Sequence, residues 1–196
     1  MAHKFNVKEM YRLDSPERRK LLPPDETLYN AGLSKNDIFV DIGCGIGYFS
    51  IPASKIVGSK GKVYSLDTSI EMLKELKKRI VENKIENIVP ILTKDYDFKI
   101  DSEIGTFALM SNVLHEVDDK LIFLNETNRV LKIEGKLCII EWQKKETEKG
   151  PPVKDRLNEL EVNELLDQTN FKLLDSYSIA DNFTAYISKK IRSNKY

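Results

Sequence analysis

The sequence is short of several things, and each shortage removes a class of protein. Cysteine occurs only twice in 196 residues, as Cys44 and Cys138. Two thiols so far apart give neither a disulfide framework nor a zinc-ligand spacing, and they fit a reducing compartment. No stretch is apolar for long enough to span a bilayer, and the opening residues lack the apolar region of a signal peptide. A cytoplasmic location without a membrane partner is therefore expected. Net charge is missing as well, with 31 basic residues against 31 acidic ones. That balance offers no electrostatic argument for a nucleic acid or an anionic surface as partner. There is no internal repeat, and this length makes one domain with a proper core the default.

What is present is organised around Phe39-Val40-Asp41-Ile42-Gly43-Cys44-Gly45-Ile46-Gly47-Tyr48-Phe49. An apolar run ends in an acid, and three alternate glycines precede a new apolar-periodic segment. This pattern predicts a buried strand, a turn free of side chains and the start of a helix. Glycine tolerates positive φ and lets a ligand lie against the backbone, while a helix N-terminus suits a carboxylate or phosphate. Dinucleotides and S-adenosylmethionine are the competing ligands. A dinucleotide fingerprint needs its third glycine where Tyr48 stands, whereas this one comes a residue early, at Gly47.

With Asp41 two residues before the first glycine, V-D-I-G-C-G-I-G resembles the first motif of the class I S-adenosylmethionine-dependent methyltransferases. The rest of the chain is similar to the same family. Lys62 to Asp67 alternates like a second strand, and Asp67 at its tip is of the type that accepts both ribose hydroxyls of an adenosine. A helix N-cap is the other reading of Asp67. In the family pattern Thr68 lies beside the adenine, with Met72 on the same wall, and core packing at helical spacing with Leu76 and Ile80 is the other reading of Met72. Ile88 to Leu92 reads as a third strand, placed at an edge by Pro90. Asp95, followed by Tyr96, stands where the family carries an acid for the adenine amino group, and a plain turn is the competing reading. Gly105 to Ser111 is the fourth strand. Ser111 and Asn112 at its end are implied to lie near the methionine part of the cofactor.

Leu114-His115-Glu116-Val117 resembles a segment of the small-molecule branch of the family, and the Asn/Asp-Pro-Pro-aromatic signature of many nucleic-acid and protein amine methyltransferases is missing. His115 has two readings, a general base or a positioning and packing residue. Arg129 to Lys136 is similar to the family's R-V-L-K-P-G-G turn, with Ile133 and Glu134 in place of the usual Pro and Gly. The retained Gly135 is expected to make the turn into a fifth strand, Leu137 to Trp142. Residues 144–154 read as a lid or a solvated connection, and length and position favour the lid. A last helix, about Leu157 to Gln168, is expected to bury Leu160, Leu165 and Leu166. Two final strands and a frayed basic tail from Lys189 complete the chain. The resemblance implies that the N-terminal helices help shape the substrate pocket, with Tyr11, Arg18 and Tyr29 as candidates, and a surface arm that packs on the sheet is the other reading of each.

The resemblance implies an α/β, Rossmann-like class I methyltransferase fold with a mostly parallel seven-stranded sheet, an antiparallel last strand and helices on both faces. It spans one domain over 1–196, made of a helical arm (1–33), a core (34–191) and a tail (192–196). The implied activity is methyl transfer from S-adenosylmethionine to a small-molecule acceptor by a monomer or homodimer, with no metal. Asp41, Gly43, Cys44, Gly45, Gly47, Asp67, Thr68, Met72, Asp95, Tyr96, Ser111 and Asn112 are the implied cofactor residues, and His115 is the candidate catalytic one. The alternatives left open are a non-catalytic S-adenosylmethionine-binding module and an RNA or protein methyltransferase.

Overall fold

The computed structural model describes residues 7–192. The chain divides into two compact units at the junction of Lys99 and Ile100. The first holds a 3-10 segment (Val7–Asp14), α1 (Pro16–Leu21), α2 (Pro24–Asn30), β1 (Ile38–Ile42), α3 (Ser50–Val57), β2 (Lys62–Asp67), α4 (Ile70–Glu82) and β3 (Ile88–Leu92). Its strands are parallel in the order β3-β2-β1, so Pro90, which has no N–H to give, sits on the outermost one. Local chemistry sets the helix starts. The Ser15 hydroxyl accepts the Arg18 N–H ahead of α1, with Pro16 in the first helical position. Ser69 does the same for α4 by accepting from Met72 N. Leu73 and Leu76 of α4 and Phe39, Val40 and Ile42 of β1 are buried in the core of this unit.

The second unit holds β4 (Gly105–Ser111), a short 3-10 turn (Leu114–Glu116), α5 (Lys120–Val130), β5 (Leu131–Trp142), a further 3-10 turn (Val153–Asp155), α6 (Glu159–Gln168), β6 (Phe171–Ile179) and β7 (Phe183–Lys190). The order is β4-β5-β7-β6, with β4 parallel to β5, and β7 antiparallel to both β5 and β6. Leu137 to Ile140 are buried without exception, as a strand covered on both faces requires. Seven strands alternating with helices, the last reversed against its neighbours, make the Rossmann-like α/β class expected from the sequence.

Four details differ from expectation. β5 begins at Leu131, directly on the end of α5, and the left-handed residue of the turn is Glu134 (φ 65), not Gly135. Gly135 is needed for space, because a Cβ there would lie 2.7 Å from the Lys132 carbonyl oxygen. In α6, Leu160 is 74% exposed while Val162 and Leu166 face inward. The capping box of Asn158 and Glu161 fixes the helix start, and that phase turns Leu160 about 200° away from Val162. The tail expected from Lys189 is instead the end of β7. Lys190 is buried, and its ammonium donates to the carbonyls of Asn128 and Leu131 at the end of α5. Finally, residues 144–154 are not loose: the Arg156 guanidinium donates to the carbonyls of Gln143, Lys145, Lys149 and Pro151 and to the Thr147 hydroxyl. Of the expected arm and tail, residues 1–6 and 193–196 lie outside the described residues.

Candidate active site

The turn between β1 and α3 is the most constrained feature of the first unit. Gly43, Gly45 and Gly47 all have positive φ, at 70, 53 and 87°. At Gly47 a Cβ would come within 2.5 Å of a Leu76 methyl, and at Gly45 within 3.2 Å of a Leu13 methyl. The turn is tied to the end of β2, because the N–H groups of Gly43 and Cys44 both donate to the Leu66 carbonyl, at 2.8 and 2.9 Å. Asp67 continues the tie. Its Oδ2 accepts from Gly45 N and its Oδ1 from Ser69 N, each at 2.8 Å. The helix cap is therefore Ser69, and Asp67 spans the two segments with lone pairs left on both oxygens. Burial raises the Asp67 pKa, against the backbone N–H groups of Ser69, Gly45 and Thr68.

Beneath the turn lies Asp41, 3% exposed. Its Oδ2 accepts from the Ser50 hydroxyl at 2.5 Å, and Ser50 accepts from the Ser65 hydroxyl at 2.7 Å. Neutral hydroxyls do not offset the loss of water, and desolvation raises the Asp41 pKa to about 7. Cys44 points into the cluster of Leu73 and Leu76. Burial, reinforced by Asp41 and Asp67, holds its thiol well above the usual range, so it is no nucleophile at neutral pH.

The N-terminal segment closes over this turn. Besides Leu13 at Gly45, the Tyr48 hydroxyl donates to the Leu22 carbonyl at 2.6 Å, and Arg18 stacks on the Tyr48 ring at 4.6 Å. Asp14 bridges Arg19 and Arg79, at 2.7 and 2.6 Å, which fastens the segment to α4. Arg18 is a cation among these groups, lowered in pKa by burial and held up by Tyr48, Asp14 and Asp41. Its Nε is buried without a hydrogen-bond partner among the described residues. Tyr11 and Tyr29, the other two candidates of that segment, are 68% and 76% exposed.

Among the remaining sequence candidates of this unit, Thr68 is exposed and Met72 is buried on the first turn of α4. Asp95 and Tyr96 form the tip of a tight turn closed by Lys94 N–H to the Asp97 carbonyl at 3.1 Å, and both are exposed.

In the second unit, Ser111 and Asn112 end β4, and Asn112 takes the left-handed conformation (φ 58). Ser111 Oγ and Asn112 Oδ1 are buried without a hydrogen-bond partner among the described residues. Three residues on, His115 Nδ1 lies 2.6 Å from Glu141 Oε2, and the His115 backbone N–H donates to Glu141 Oε1 at 3.3 Å. Sequence reasoning placed Glu141 at a strand tip but missed this partnership. The signal was an acid closing the apolar run Leu137 to Ile140, where a buried charge requires a partner.

The family described as "ubiE/COQ5 methyltransferase family" matches residues 24–151, which include the glycine turn, Asp67 and the Ser111–Asn112 strand end. This chain belongs to that family. It is thereby a class I S-adenosylmethionine-dependent methyltransferase. It is 27% identical over 124 residues to a demethylmenaquinone methyltransferase of Geobacillus sp. (strain WCH70), covering 63% of this chain and 53% of the relative. A demethylmenaquinone methyltransferase of Staphylococcus aureus (strain MRSA252) is 31% identical over 110 residues, covering 56% of this chain and 45% of the relative. The chain spans about half the length of these curated relatives. A crystal structure of a SAM-dependent methyltransferase from Aquifex aeolicus matches 96% of this chain and 100% of its own, at TM-score 0.92 and 28% identity. A Haemonchus contortus phosphoethanolamine N-methyltransferase, solved with S-adenosylhomocysteine, has the same fold at TM-score 0.76 and 12% identity, over 95% of this chain and 58% of its own.

Proposed function

We propose that this methyltransferase modifies a small hydroxylated aromatic of the quinol type. The observation that carries the acceptor class is the similarity to demethylmenaquinone methyltransferases. S-adenosylmethionine, when bound, supplies an already activated methyl group, so the protein's task is binding, orientation and exclusion of water.

The residues present fit that cofactor. We assign the turn at Gly43, Cys44, Gly45 and Gly47 to its close approach, since three glycines at positive φ let a ligand lie against the backbone. Asp67 is assigned to the ribose hydroxyls, using the lone pairs that Gly45 and Ser69 leave on its two oxygens. Asp41 is assigned to the cationic amino end, because a cation would relieve its buried charge. Thr68, Met72, Asp95 and Tyr96 are assigned to the adenine side. In the second unit, the orphaned oxygens of Ser111 and Asn112 are assigned to recognition of a polar ligand group.

A cytoplasmic location is part of the same proposal, supported by the free thiols of Cys44 and Cys138. No helix among the described residues is long and apolar enough to cross a membrane. A monomer or homodimer remains the expected state.

Calorimetry and mass spectrometry test the proposal. The wild-type chain is expected to bind S-adenosylhomocysteine, and Asp67→Ala to lose at least tenfold in affinity, about 1.4 kcal/mol. Reduced demethylmenaquinone is expected to gain one methyl group. Unchanged affinity in Asp67→Ala sinks the ribose assignment, and a wild-type chain that binds cofactor but leaves that acceptor unmodified sinks the quinol reading.

A further inference from the structure

We infer that His115 and Glu141 form a proton-accepting pair, in which Glu141 is a positioning residue and His115 Nε2 takes the proton of an ionisable hydroxyl on the methyl acceptor. The inference rests on the methyltransferase reading above and names the acceptor chemistry that the second unit is built for.

Glu141 holds His115 at two points. One carboxylate oxygen takes the ring Nδ1–H at 2.6 Å and the other takes the backbone N–H at 3.3 Å. The side chains are almost wholly buried, 6% exposed for His115 and 2% for Glu141. A carboxylate on Nδ1 selects the tautomer that carries its proton there, and so leaves the lone pair on Nε2. Glu116 Oε1 lies 3.8 Å from that nitrogen, on a side chain 26% exposed. An imidazolium formed at Nε2 is thus flanked by a second carboxylate that reaches solvent, which gives the accepted proton a way out. Ser111 and Asn112, whose oxygens find no hydrogen-bond partner among the described residues, lie with His115 within five residues of chain. Packing alone is a poor explanation of the arrangement, because a buried ion pair is commonly no more stable than apolar residues of the same size.

The charges facing the imidazole agree with a base. Burial pulls its pKa down, the hydrogen bond and charge of Glu141 together with Glu116 push it up, Lys120 opposes them weakly, and the net displacement is upward. Tyr186 is also electrostatically coupled to Glu141. A base stronger than free imidazole suits a phenolic or enolic O–H, whose own pKa is above neutral. In the step, the acceptor O–H bond breaks, its proton goes to Nε2, and the electron pair stays on the acceptor oxygen and its conjugated carbons. An oxygen or carbon nucleophile results, and the chain supplies no further reagent.

The test uses nitrogen NMR on the full chain, whose only other histidine is His3; His115→Gln assigns the two signals. Above its titration midpoint, His115 is expected to show a protonated Nδ1 and a bare Nε2. Glu141→Gln is expected to move that midpoint down by about one unit or more. With reduced demethylmenaquinone as acceptor, kcat/KM is expected to rise with pH through the same midpoint and to follow it in Glu141→Gln, while Glu141→Asp restores part of the shift. His115→Gln is expected to lose on the order of 100-fold or more in kcat with S-adenosylhomocysteine affinity retained. An Nε2-protonated ring, a midpoint unmoved by Glu141→Gln, or a loss below fivefold in His115→Gln overturns the pair. If His115→Gln does not fold, Glu141→Gln and the ring signals decide. Absence of cofactor binding in the wild type, or of methylation of that acceptor, counts against the reading beneath it, and the NMR titration then judges the pair by itself.

Discussion

Each compact unit buries one carboxylate at the end of a strand, and the two are treated in opposite ways. Asp41 at the end of β1 is met by the hydroxyl of Ser50, which is backed by Ser65. Glu141 at the end of β5 is met by the imidazole and the backbone N–H of His115. Hydroxyl dipoles leave most of the desolvation penalty standing, so Asp41 is pushed up to about 7. At His115 burial lowers the pKa, and the hydrogen bond and charge of Glu141 more than offset it. The lesson is that Glu141 is met by a titratable partner, whereas Asp41 is met by neutral hydroxyls, with the charge of Arg18 only a minor counterweight to its burial.

The largest expected effect follows from that contrast. The folded pKa of Asp41 lies above its unfolded value of 3.8, so between them the native chain keeps a proton that the unfolded chain has lost. Stability from this group is therefore complete below pH 3.8 and falls as pH rises toward about 7, by up to roughly 4 kcal/mol. Urea unfolding at a series of pH values is expected to show the decline in the wild type and to lose it in Asp41→Asn. Parallel curves for the two proteins would break the comparison. A bound cation relieves the same group, so cofactor binding between about pH 5 and 7 is expected to release a proton, seen as a buffer-dependent enthalpy.

Glycine geometry gives the next effect. At Gly47, with φ 87, an added methyl meets the Leu76 side chain at 2.5 Å. Overpacking and left-handed strain together predict about 3 kcal/mol of destabilisation for Gly47→Ala. Gly45→Ala, with 3.2 Å to a movable Leu13 methyl, is expected to cost less in stability and more in cofactor affinity. Denaturant midpoints and calorimetry on the two variants check the order; equal stability losses would remove the distinction between packing and ligand clearance.

These two regions also mark how far the sequence could be read. The glycine turn was legible because its chemistry is local: Asp41, three glycines and a following helix occupy consecutive positions. Asp67 was legible because strand ends recur in a regular βα rhythm. Legibility failed wherever a long side chain reaches across the fold. Nothing near His115 in the chain announces Glu141, twenty-six positions away. Residues 144–154 could be read only as a lid or a solvated connection, because the guanidinium of Arg156 that gathers the segment lies beyond it in the chain. Leu160 was misplaced because periodicity alone could not reveal the helix start that Asn158 and Glu161 set.

Arg156 supplies the third prediction. It stacks over Trp142 at 5.3 Å and is held by four carbonyls and a hydroxyl. Arg156→Ala is expected to cost about 2 kcal/mol and to speed hydrogen exchange and proteolysis across residues 143–155. Arg156→Lys is expected to recover little, since an ammonium cannot present a planar fan of donors. Full protection in the lysine variant would show that charge, not geometry, fastens the loop.

The smallest effect sharpens the comparison at the level of backbone. The first unit places glycine at every left-handed position of its β1–α3 turn, whereas the second puts Glu134 (φ 65) within β5, where the register against β4 shifts. Glu134→Gly removes left-handed strain of about 1 kcal/mol. It also gives back part of that through the freer unfolded chain and breaks an exposed ion pair with Lys189 that contributes little. A net gain of about 0.5 kcal/mol is expected, measured by chemical denaturation. A loss instead would mean that the Glu134–Lys189 pair, where the edge of β5 meets β7, does more for the second unit than its exposure suggests. The contrast between glycine and glutamate at left-handed positions would then need another basis.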